Sequence, residues 1–351
     1  MRAPDSEKKE KRKKKIIIRL TIILLILFVA SPFYPTWTKN KGGNGIFELT
    51  KVNVGDTKLD MLIRGDDMDN PVLLFVHGGP ANSEIPYASR FDAELEKDFI
   101  VVHYDQRAAG KSYHFFDDYK NLSIDLHKDD LLKITDYLRE RFKKDKVILV
   151  GHSFGTYIGL LAVSEAPDKY EAYVGIGQVA DVKKSERDAF EYCCKKALEE
   201  GNTKDYEKLC EIEDEVYEGK MLTPRKYIRK YGGDALKINE VGVLVKGMIL
   251  GSEYNLYDCV TYVVGALFSQ RKLLKEASSY PVIGRVTNLD VPFYFVMGEN
   301  DYMTSADAAK VYFETIDCDK RHEFAVFEGC AHFPHLEEPA KFAEWLREKI
   351  R

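Results

Sequence analysis

Four stretches of this chain are apolar at nearly every position: 72–76, 99–104, 147–150 and 292–297. Runs that are continuous rather than alternating predict strands buried on both faces, as in a parallel sheet. Glu323–Phe327 reads as a further strand, and Phe47–Val54 with Lys58–Arg64 reads as an antiparallel pair ahead of the others. Between them, Ile124–Phe142 carries Leu131, Ile134 and Leu138 at helical spacing, and Phe154 to about Glu165, Ala306–Phe313 and Pro339–Ile350 also read as helices. Strands alternating with helices predict an α/β fold, a doubly wound and mostly parallel sheet. The core is assigned to 46–180 and 286–351.

From 181 to 285 the pattern changes to charged helical stretches and many tyrosines, which predicts an inserted helical cap over the core. A cap of this kind excludes water and shapes a pocket. Its second half is more apolar: Val241–Leu250 and Cys259–Phe268 are expected to pack on the core and line that pocket. The acidic run Glu211–Glu218 reads as a solvated helix face, the alternative being an anchor for a substrate ammonium.

The N-terminus stands apart. A basic tail (1–15) precedes a run from Ile16 that is apolar to Ala30 except for Arg19 and Thr21. Extended to 35, with Arg19 reaching back to the interface, it is expected to be a transmembrane signal anchor, because a span takes about 20 residues. A cleaved signal peptide is the rival, and Pro32 just past Ala30-Ser31 opposes cleavage. Lysines on the near side place the catalytic domain outside the cytoplasm, joined by a polar linker over 36–45. A soluble chain with a disordered basic tail is the remaining alternative.

Composition narrows the classes. A chain of 351 residues with 45% hydrophobic positions suffices for one large α/β domain with an insertion. A net charge of −5, with no basic stripe in the folded part, argues against nucleic acid as a partner. The six cysteines show no metal spacing, although Cys193 or Cys194 with Cys210 is conceivable as a disulfide within the cap. No metal, nucleotide or flavin motif is present, so no cofactor is expected.

The chemistry lies at Gly151-His152-Ser153-Phe154-Gly155, between an apolar strand and a helix. That context makes a nucleophile elbow of the Gly-x-Ser-x-Gly motif. Ser153 would sit in strained backbone, with glycines on either side because a Cβ there would collide with neighbours. A serine hydroxyl needs a base and an acid that orients it, which follow the serine in this type of fold. Asp301, after the 292–297 strand, and His332, after the 323–327 strand, fill those places. Glu299 competes as the acid and His335 as the base. The N–H of Phe154 and the N–H of Gly79, in Phe75-Val76-His77-Gly78-Gly79-Pro80, would form the oxyanion hole. His77 reads as a brace for that loop and Arg107 as locally paired scaffold.

Taken together, His-Gly-Gly-Pro at 77–80, Asp-Gln-Arg-x-x-Gly-x-Ser at 105–112, Gly-His-Ser-Phe-Gly at 151–155, Gly-x-x-Asp at 298–301 and the run 329–339 resemble the α/β-hydrolase superfamily, within it the prolyl-iminopeptidase-like branch (peptidase family S33). The chain departs from the branch at Ala81 and Ala108, where glycines are usual. The resemblance implies a serine hydrolase working through Ser153, His332, Asp301 and an acyl-enzyme, most naturally an aminopeptidase on short peptides. A carboxylesterase or lipase acting on small or membrane-derived esters is the alternative, and a non-catalytic binding relative a third.

Overall fold

The structure is a computed structural model describing residues 5–350. The first four residues of the basic tail lie outside that range. The strands are β1 (Ile46–Val54), β2 (Thr57–Gly65), β3 (Val72–Val76), β4 (Ile100–Tyr104), β5 (Val147–His152), β6 (Tyr170–Ile176), β7 (Phe293–Gly298) and β8 (His322–Phe327). They form one 8-stranded sheet in the order β1-β2-β4-β3-β5-β6-β7-β8. The pairings β1–β2 and β2–β4 are antiparallel, and all others are parallel. Strands β3, β4, β5 and β7 are buried along their whole length, which is why they read as unbroken apolar runs.

The helices are α1 (Asp5–Ala30), α2 (Ile85–Phe91), α3 (Ile124–Phe142), α4 (Phe154–Glu165), α5 (Val182–Glu199), α6 (Thr203–Cys210), α7 (Glu213–Tyr217), α8 (Arg225–Lys230), α9 (Glu240–Leu250), α10 (Leu256–Ser279), α11 (Ala306–Thr315), α12 (Pro334–Glu337) and α13 (Pro339–Ile350). One sheet face packs on α3, α4 and α11 through Leu131, Ile134, Tyr157 and Tyr312. The other packs on α13 through Phe342 and Leu346. The sheet is therefore covered on both faces.

Residues 181–285 are helical throughout their regular part, from α5 to α10. Helices α5 to α8 enclose a core of their own around Phe190, Cys193, Leu209 and Ile228. Helices α9 and α10 reach the main body differently: Leu244, Met248, Cys259 and Tyr262 pack against Leu62, Ile85 and Tyr254. The sequence led us to expect these two apolar segments to be committed to the core, but only one side of each is. All six cysteines are free thiols, so the conceivable disulfide of Cys210 with Cys193 or Cys194 is not formed.

The expected membrane span is not supported by the helices themselves. Among the described residues, no helix is long and apolar enough to cross a membrane. The apolar part of α1 stops at Ala30, where a 3₁₀ turn over Ser31–Phe33 takes over. The following chain is fastened down rather than free. Asn255 Nδ2 donates to the Tyr34 carbonyl at 3.3 Å, and the Trp37 N–H donates to the Ser252 carbonyl at 3.0 Å. Thr38 is buried, accepting from Arg64 at 2.5 Å. Its first residues thus do not behave as a loose linker.

Candidate active site

Strand β5 ends in the tight turn that carries Ser153, whose φ of 52° and ψ of −124° lie in a region ordinary residues avoid. The glycines make the turn sterically feasible. A Cβ on Gly155 would stand 2.0 Å from the Val76 carbonyl oxygen, and one on Gly151 would stand 2.7 Å from Thr156 Cα. The turn is held by the Ser153 N–H donating to the Ile176 carbonyl at 2.8 Å and by Thr156 Oγ1 donating to the Ser153 carbonyl at 2.6 Å. Phe154 opens α4, so its N–H is one of the helix's orphan donors.

Asp301 and His332, far apart in sequence, meet: His332 Nδ1 lies 2.9 Å from Asp301 Oδ2. An ionised carboxylate only accepts, so Nδ1 carries the proton and Nε2 is left to receive one. Asp301 also accepts from the Met303 N–H at 2.9 Å, the Thr304 N–H at 3.1 Å and Thr304 Oγ1 at 3.0 Å. Burial pushes its carboxyl up, but the His332 charge and these hydrogen bonds outweigh that and hold it below the usual carboxylate range. Burial likewise pulls His332 down, and Asp301, with Asp234 adding, lifts it above the ordinary imidazole value. Gly177, with φ of 55°, makes room for the pair, since a Cβ there would lie 2.8 Å from His332 Nδ1.

The competitors are occupied elsewhere. Glu299 Oε2 accepts from the Gly329 N–H at 3.0 Å. His335 is buried, with neither ring nitrogen hydrogen-bonded, and burial holds its imidazole well below the ordinary value. Gly78 sits against the serine, a Cβ there standing 2.7 Å from Ser153 Cβ. Gly79, with φ of 114°, precedes a cis peptide to Pro80, and it lines the same cavity as Ser153 and Phe154. His77 Nε2 accepts from the Gln106 N–H at 3.1 Å, and burial pulls its imidazole to about 4, so it braces the loop as a neutral ring. Arg107 pairs with Asp130 at 2.7 and 3.0 Å and with Asp56 at 2.8 Å, within the scaffold.

Beneath the elbow lies a buried relay. His152 Nδ1 bonds Glu84 Oε1 at 2.9 Å, and His103 Nε2 bonds Asp92 Oδ2 at 2.9 Å, with His103 Nδ1 3.4 Å from Glu84 Oε2. Burial works against charging His103, but Asp92 and Glu84 push it up to about 10. Among the described residues, the group whose ligand atoms could hold a cation is Glu84, His152 and His335, all within 4.8 Å of one another. Glu84 already accepts from His152 and pairs with His103, so His335 is the one member of that group it does not bond.

Two cavities meet at Ser153. One, of roughly 160 Å³, joins Ser153, Gly79 and His332 to Arg229, Asp234 and Glu240 of the cap. The second, of roughly 290 Å³, is walled by Phe154, Val179, Val182, Leu222 and Leu274, with the Arg225–Glu186 pair. The Glu211–Glu218 run lines neither cavity, and all its acidic residues are exposed. Asp234 and Glu240 occupy the acidic place instead, both within reach of Arg229 Nε, at 3.1 and 2.6 Å. Burial above all lifts the Asp234 carboxyl to about 6. Sequence reasoning missed Glu84, Gly177, Arg229, Asp234 and Glu240. Only Gly177 left a signal, a glycine at the carboxyl end of a strand, where open α/β sheets bind ligands.

A family model for the alpha/beta hydrolase fold matches residues 71–195. The chain is 29% identical over 326 residues to a probable aminopeptidase, YbaC, of Bacillus subtilis, covering 86% of this chain and 96% of that protein. It is 25% identical over 291 residues to a proline iminopeptidase of Saccharolobus solfataricus, covering 80% of this chain and 85% of the relative. The fold matches the crystal structure of proline iminopeptidase from Mycobacterium smegmatis with a TM-score of 0.64 at 16% identity, over 86% of this chain and 97% of that one. These likenesses make the chain an α/β-hydrolase similar to the prolyl-iminopeptidase-like branch, and a hydrolase enzyme.

Proposed function

We propose that this hydrolase works by nucleophilic catalysis, with Ser153 attacking an acyl carbon, His332 as base and then acid, and Asp301 orienting the imidazole. The observation that carries the reading is the 2.9 Å contact between His332 and Asp301 at the wall of the cavity that holds Ser153. Attack by Oγ transfers its proton to His332 Nε2 and builds an oxyanion against the N–H groups of Gly79 and Phe154. His332 then protonates the leaving group, leaving an acyl-enzyme that water hydrolyses by the same steps. Ser153→Ala should abolish labelling by a fluorophosphonate probe and lower turnover by about 10⁴-fold or more. Undiminished labelling sinks the assignment.

The substrate reading is a short peptide cut behind its N-terminal residue. Support comes from the aminopeptidase and proline iminopeptidase relatives and from Asp234 and Glu240, carboxylates facing the cavity where a free ammonium could be held. An ester substrate is favoured by a different observation, the apolar side chains Phe154, Val179, Val182, Leu222 and Leu274 on the wall of the second cavity. Comparing aminoacyl-arylamides with short-chain aryl esters decides: turnover of esters alone overturns the peptidase reading.

We further propose that α1 holds the protein at a membrane, with its lysines on the cytoplasmic side and the hydrolase outside. From Ile16 to Val29, Ile, Leu and Val side chains are exposed on every side of the helix. About 15 apolar residues give about 22 Å against about 30 Å of hydrocarbon, so crossing would need local thinning of the bilayer and lysine snorkelling. Protease added to intact cells tests the orientation.

A further inference from the structure

We propose that the outer face of the α9–α10 pair is a docking surface for an anionic lipid bilayer, separate from any role of α1. The two helices lie side by side, with the Cys259 thiol 3.8 Å from the Met248 carbonyl oxygen. Their inner sides are spent on the body and on both cavities. Their outer sides are not. On α9, Val245 and Ile249 stand four residues apart, with Leu250 beside them; on α10, Leu256, Val263 and Leu267 continue the surface, with Phe268 at its edge. Ile249 and Leu250 are each 72% exposed and Leu267 is 75% exposed, values that core-facing residues never show. An apolar patch of this extent marks an interaction site rather than ordinary surface.

Charge selects the occupant. Within 240–279 every exposed charged residue is a cation: Lys246, Arg271, Lys272 and Lys275. The acids of the same stretch are withdrawn. Glu253 and Asp258 are buried, Glu240 pairs with Arg229, and Glu276 accepts from the Ile124 N–H. This cationic rim stands on a chain of net charge −5, so it is a local arrangement. A second copy in a two-fold pair would set these cations near their own counterparts. A sheet of anionic headgroups over an apolar interior satisfies the rim and the stripe together. The direction of the chain agrees: α1 packs against α10, and Asn255, the cap of α10, holds the Tyr34 carbonyl just past the end of α1. The apolar helix thus leaves the body beside the apolar stripe.

The test uses the full chain with phosphatidylcholine vesicles, with and without phosphatidylglycerol. In a Trp37→Phe background, Leu267→Trp should be quenched by brominated lipids in the anionic vesicles, while Trp345, on the opposite side of the sheet, should not. Ile249→Glu with Leu267→Glu should weaken partitioning at least tenfold and leave the melting transition unchanged, since neither side chain lines a cavity or the core. Ile249→Ser with Leu267→Ser serves where the glutamates disturb folding. Absence of binding, binding without quenching at 267, or partitioning indifferent to these substitutions or to the anionic lipid overturns the proposal. So does concentration-dependent burial of the introduced indole without vesicles, which would make this face a contact between copies.

Discussion

At the residue scale, the site depends on a few atoms being held in costly places. Asp301 fixes the imidazole tautomer, whereas Glu299 ties down the 327–330 loop. Asp301→Asn should therefore keep the fold and lower kcat by about 10⁴-fold, as expected when the imidazole is held in the wrong tautomer, and Glu299→Gln should do far less. A reversal would make Glu299 the acid. The charge around His332 also sets a pH dependence. In the proposed mechanism His332 must be neutral to accept the serine proton, and Asp301 and Asp234 raise its pKa above the ordinary value. The acid limb of kcat/KM should accordingly have its midpoint above the usual histidine range. Asp234→Asn removes one of the two charges and should move that limb to lower pH; a limb that stays put would show that Asp234 does not act on His332. The two departures from the branch's glycines belong to this scale as well. Ala81 and Ala108 have φ of 63° and 62°, the left-handed region that a glycine adopts without cost.

At the element scale, caps decide where helices end. Ser123 Oγ accepts from the Leu126 N–H at 3.1 Å to start α3, and Asn255 with Asp258 forms a reciprocal capping box at the start of α10. Helix α3 stops at Lys143, which takes φ of 52° and ψ of 45° while its N–H donates to the Arg139 and Glu140 carbonyls. A glycine fills such a left-handed cap without Cβ strain. Lys143→Gly should raise the unfolding free energy by about 1 kcal/mol, measured by denaturant titration, and Lys143→Ala should not. Equal effects would show that the conformation there carries no strain. The apolar run at 241–250 illustrates what an element hides from its sequence. Helix α9 is apolar on nearly all sides, so periodicity could not distinguish the side that packs on Ile85 and Tyr254 from the side left open.

At the scale of the whole molecule, the body and the N-terminal helix pose one topological question. Thr38 bonds Arg64 and Glu253, and Lys111 bonds Thr36, so the chain joins the hydrolase body within a few residues of leaving α1. If α1 crosses a membrane as proposed, a helix held that closely carries the body with it, and the side on which its lysines stay would fix the side of the enzyme. Protease added to intact cells or spheroplasts should digest the hydrolase and spare cytosolic markers. Full protection, or recovery in the soluble fraction, would overturn the membrane reading.

The sequence by itself determined the class of fold, because parallel strands buried on both faces must be written as unbroken apolar runs, as at 72–76 and 147–150. It also determined the elbow, since no residue other than glycine fits at 151 and 155, and the loops that bring Asp301 and His332, since the turns follow their strands directly. What lies between distant segments left no mark in the pattern. Asp234 and Glu240 face Ser153 only because the cap folds back over the core, and Glu84 reaches His152 only because two loops converge beneath the elbow. The acidic run at 211–218 attracted attention through local density of charge, yet it points to solvent. Local periodicity reports which side of an element avoids water. Which partner covers that side, and which charges meet across a cavity, are consequences of long-range packing, and only the tertiary structure decided them.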